Sequence, residues 1–189
     1  SGVKGLCQTV GCRALTVAGV AAAWVMFFNV NIALFAPLAN SPRAHWIFLP
    51  AALRVLSVLL FDGWGAAGLM VGAYFTLSRH GLADLPGDLL IAASSALAPL
   101  VGIAACRRWL HIAWDLSGLR GLHIIAVSVA TAAANAVILN LALAAAGQFQ
   151  GNLMRIATVF VGDVLGTAIM LSMIAAMLSL ITRRVAKQA

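Results

Sequence analysis

Long apolar runs, separated by short clusters of proline, glycine, asparagine and charge, fill the chain from Ala14 to Ile181. They predict six helices, at about Ala14–Ala36, Ile47–Phe61, Gly65–Ser78, Leu89–Leu110, Leu122–Ala146 and Leu153–Ile181. Pro37, Asn40, Ser41 and Pro42 break the first run, Asp84 or Asp88 suits the start of the fourth helix, and Gly147 to Asn152 turns the chain after the fifth. A helix needs ~20 apolar residues to cross a hydrocarbon core ~30 Å thick. The second and third runs are shorter than that, so residues 46–78 read as a short helical hairpin folded about Asp62-Gly63-Trp64-Gly65. Pro50 and Pro99 are expected to kink their helices.

Composition turns this pattern into a fold class. With 63% hydrophobic and 9% charged residues, and a mean hydropathy of +1.02, the chain falls far outside soluble globular usage, where ~25% of residues are charged. The expectation is an all-α integral membrane protein, a six-helix transmembrane bundle forming a single transmembrane domain over 1–189. Such a bundle leaves no room for a soluble domain, so any output step is expected to come from a separate partner chain.

Charge then orients it. The net charge of +7 lies mostly in loops and tails, where it reads as topology and contact with the lipid bilayer rather than nucleic-acid binding. With six crossings, one side carries Lys4, Arg13, Arg107, Arg108, Arg120, Arg183, Arg184 and Lys187, and the other only Arg43, Arg79 and Arg155. Because cytoplasmic loops carry the excess, both termini are expected to be cytoplasmic, in a bacterial-type inner (plasma) membrane. A single crossing by 46–78 would put the Arg107, Arg108 and Arg120 loop outside. Two crossings, or a re-entrant pair, agree better with the count.

All five acids are aspartates, and one of them, Asp163, lies inside a predicted span, as does Arg54. A rise of ~1.5 Å per residue converts position into depth. Arg54 then lies ~10 Å and Asp163 ~10–15 Å below the outer surface, so the two can pair. Asn29, Asn31, Asn140, Ser94 and Ser95 fall at a similar level, Asn135 deeper, and Trp46 at the boundary where interfacial aromatics collect. This predicts a polar layer in the outer half of the bundle, open to the outside. Two uses remain open for it: cross-helix bonding of ~0.6 kcal/mol per group, or a small-molecule ligand pocket or gate, as intramembrane ionisable residues suggest.

Other features add less. Gly68 and Gly72, and Gly162 and Gly166, allow close backbone approach, within the bundle or at a dimer face. Cys7, Cys12 and Cys106 read as free thiols, and His45, His80, His111 and His123 are scattered over loops, which argues against a metal. No nucleophile, base and orienter stand together. The chain is therefore expected not to be an enzyme and to need no cofactor.

Trp46-x3-Pro50 with its apolar run and turn to Gly65, Gly68 to Tyr74, Arg107-Arg108-Trp109-Leu110, and Gly162-Asp163-x2-Gly166 together resemble the first class of membrane-associated sensor domains. These precede diguanylate cyclases and histidine kinases, and the resemblance covers about residues 33–181. It implies an integral-membrane sensory or regulatory module that passes a signal to a cytoplasmic output. Ala51-Ala52 departs from that family's pattern, where a glycine often follows the proline. Ala18 and Ala22 in a compact six-helix bundle also resemble the substrate-binding subunits of energy-coupling-factor vitamin transporters, and an accessory subunit of a larger membrane complex is a third reading.

Overall fold

The computed structural model describes residues 10–35, 37, 39–41, 44–77, 85–110, 121–148 and 153–186, without the side chains of 39–41, 44, 121 and 175–186. Cys7, His80, Asp84, His111 and the basic residues Lys4, Arg43, Arg79, Arg120 and Lys187 lie outside the described residues.

Among the described residues five helices form, not six: α1 Val10–Phe35, α2 Pro50–Leu77, α3 Leu85–Leu110, α4 Gly121–Ala145 and α5 Leu153–Ala186. Each is long and apolar enough to span a membrane. A two-stranded antiparallel ribbon, β1 Ala39–Ser41 and β2 Ala44–His45, joins α1 to α2 where a plain break was expected. The expected second and third helices fall within α2, as two helical arms on either side of a non-helical Asp62.

That break reverses the chain. Asp62 has φ 50° and ψ −130°, a conformation that a side-chain-bearing residue rarely adopts and that suits the first central position of a type II′ turn. A Cβ on Gly65 would run into the Ser57 carbonyl, although the two stand ~12 Å apart along an unbroken helix. Neighbouring contacts give the sense of each arm. Going along the first arm, Leu49 meets Asn31 and Arg54 meets Trp24, so it descends against α1. Along the second, Gly68 meets Val17 and Val20 and Gly72 meets Ala21 and Trp24, so it runs with α1.

Two further departures concern the start of α2. Pro50 opens the helix and does not kink it, because the first helical position needs no amide hydrogen and suits the fixed φ of proline. Residues 46–49, expected to be helical from Ile47, instead form a turn-like segment ahead of α2. Pro99 does lie inside α3.

The glycine pairs serve packing inside the molecule. Gly68 and Gly72 admit α1, while Gly162 and Gly166 admit the carbonyls of His45 and Phe48. Gly102 admits the backbone of Thr131 and so sets α3 against α4. The main apolar core, with Val20, Trp24, Val55, Leu69 and Val127 at its centre, lies between α1, both arms of α2, α3 and α4.

Candidate functional site: a buried arginine network

Arg54 projects from the first arm of α2 into this apolar interior. A lone charge there would be costly, since ion desolvation amounts to several kcal/mol even after relaxation. Three kinds of contact offset it. Arg54 Nη1 donates to Asp163 Oδ2 on α5 at 2.9 Å. On α4, Asn135 Nδ2 donates to the same oxygen at 2.6 Å. The guanidinium carbon stands 5.1 Å from the ring centre of Trp24 and 5.0 Å from that of Phe48, within cation–π range of both. Arg54, Asp163 and Asn135 are each at most 6% exposed.

The two rings are themselves fixed. Trp24 Nε1 donates to Thr76 Oγ1 on the second arm at 3.3 Å, and that hydroxyl donates to the Ala73 carbonyl at 2.8 Å. Phe48 packs edge-on against Trp24 and Phe28 and stacks on His45. Segment 45–49 thus lies against the network. Its seat is set by backbone bonds: Phe48 N–H donates to the Gly162 carbonyl at 3.0 Å, and Leu49 N–H to Asn31 Oδ1 at 2.8 Å.

Arg54 and Asp163 meet as their depth predicts, Asn135, expected deeper, joins them, and Asn31 lies under segment 45–49. The other expected members stand apart from the pair. Asn29 is exposed and turns its amide onto the Val25 carbonyl of its own helix. Asn140 Nδ2 donates to the Ala136 carbonyl, and Ser94 Oγ to the Ile91 carbonyl, both within their helices. Ser95 is buried. Trp46 is half-buried, with its backbone near Gly162.

Sequence reading missed Trp24, Phe48 and His45. His45, expected in a loop, is a buried residue of β2.

Four buried polar atoms around this level have no hydrogen-bond partner: Asn31 Nδ2, Arg54 Nε, Asn135 Oδ1 and Asn140 Oδ1. Such groups cost ~1–3 kcal/mol each. Comparison with protein-family models, curated proteins and solved structures found no match. What the network does must therefore be argued from its geometry.

Proposed function

We propose that this chain is a multi-pass protein of a bacterial-type inner membrane, with both termini cytoplasmic, and that it works as a sensory or regulatory module through a separate protein partner. The observation that carries this reading is the Arg54–Asp163 pair. It ties the first arm of α2, with Phe48 of segment 45–49 stacked over Arg54, to α5, a single helix of 34 residues. At ~1.5 Å per residue α5 is ~51 Å long and exceeds the ~30 Å hydrocarbon core. A displacement of Phe48 over Arg54 would reach Asp163 directly, and a packed helix moves as a unit. Arg13 and Arg107 at the reversal end, against Arg155 at the opposite end where α5 starts, support the orientation.

A second reading has its own support. The unpartnered Asn31, Arg54, Asn135 and Asn140 atoms suit a small polar ligand, as in the substrate-binding subunit of a vitamin-type transporter. Native mass spectrometry of protein released from its own membrane in mild detergent separates the two. The regulatory reading expects a complex with a partner chain whose retention changes in Asp163→Asn. A chain that carries a small solute and no partner establishes capture instead, and a chain with neither overturns the regulatory reading.

A further inference from the structure

Between α1 and the first arm of α2 runs an apolar groove of about 440 Å³, lined by Gly19, Ala23, Leu53, Leu56, Leu60 and Phe61 among others. Its two hydroxyls are turned away from the opening: Thr16 Oγ1 donates to the Cys12 carbonyl and Ser57 Oγ to the Leu53 carbonyl. A polar solute therefore finds no free donor there. The groove follows α1 from Cys12 to Ala23, ~16 Å at ~1.5 Å per residue. An apolar groove of this length, with no free donor, suits a hydrocarbon chain.

One end of the groove is charged. Arg13, next to Cys12, places its guanidinium carbon 5.1 Å from the ring centre of Trp64, which is 44% exposed. It has no acidic partner among the described residues, and its Nε is buried without a hydrogen bond. Arg107 also approaches this end, 3.9 Å from Asp62. We propose that the groove binds one acyl chain of an anionic phospholipid, with Arg13 receiving its headgroup.

Gly19 provides a clean test, because a Cβ added there meets nothing within 4 Å, and replacing a helical glycine favours the helix. Native mass spectrometry of the full chain would be run with added phosphatidylglycerol or phosphatidylcholine. The wild type is expected to retain the anionic lipid over the zwitterionic one by about fivefold, the worth of one basic residue near the surface. Arg13→Gln should bring the two lipids level. Gly19→Leu should lose both, with unchanged helical circular dichroism. The proposal is overturned if the wild type retains neither lipid, if Gly19→Leu retains them as before, or if a dimer that Gly19→Leu abolishes replaces the lipid adduct.

Discussion

Arg54 and Asp163 are each costly in this interior without the other, and this makes their removal unequal to the worth of their bond. Truncating one partner leaves a buried charge uncompensated, which costs ~3–5 kcal/mol. Arg54→Ala and Asp163→Ala are each expected to lower thermal stability in detergent by that order, while the double variant loses clearly less than the sum. Single variants as stable as the wild type would mean that the 2.9 Å contact carries no energy. This pair was legible in the sequence because depth alone locates it. Its aromatic clasp was not, because whether Trp24 and Phe48 face Arg54 depends on rotation about each helix and on the turn at 46–49. Asn29 shows the same limit: it has the right depth but the wrong face, and bonds back to Val25.

At the scale of elements, the reversal in α2 rests on one residue held where glycine is preferred. With φ at 50°, Asp62 carries backbone strain of ~1–3 kcal/mol, and its contact with Arg107 at 3.9 Å on a 43%-exposed carboxylate offsets little of that. Asp62→Gly is expected to raise stability by ~1 kcal/mol, and Asp62→Ala to leave it level or lower it. A thermal melt that falls in Asp62→Gly would show that the side chain, not the backbone, holds the turn. The Asp-Gly-Trp-Gly sequence announced the turn, and apolar length announced the short arms. Nothing in it announced that Pro50 would open the helix and free His45 to Leu49 to lie on Gly162 and Gly166. Those outcomes depend on the close fit of segment 45–49 against α5.

For the whole molecule, the direction of α2 decides the topology. By length alone Pro50–Leu77 could cross once, which would place Gly63 near the middle of the bilayer and Arg107 on the side opposite Arg13. The reversal instead brings Arg13, Trp64, Asp62 and Arg107 to one end of the bundle, the arrangement that the positive-inside count favours. Thiol labelling distinguishes the two in a background with Cys7, Cys12 and Cys106 replaced. Gly63→Cys adds a side chain into open space, and Gln148→Cys marks the turn between α4 and α5 at the far end. A membrane-impermeant maleimide applied to intact cells is expected to label position 148 alone, and position 63 should react only after the membrane is opened. Were α2 a single crossing, position 63 would stay unlabelled under both conditions, since a thiol within hydrocarbon ionises too little to react. Reactivity at 63 from the cell exterior would invert the bundle and place the Arg54 network in its cytoplasmic half.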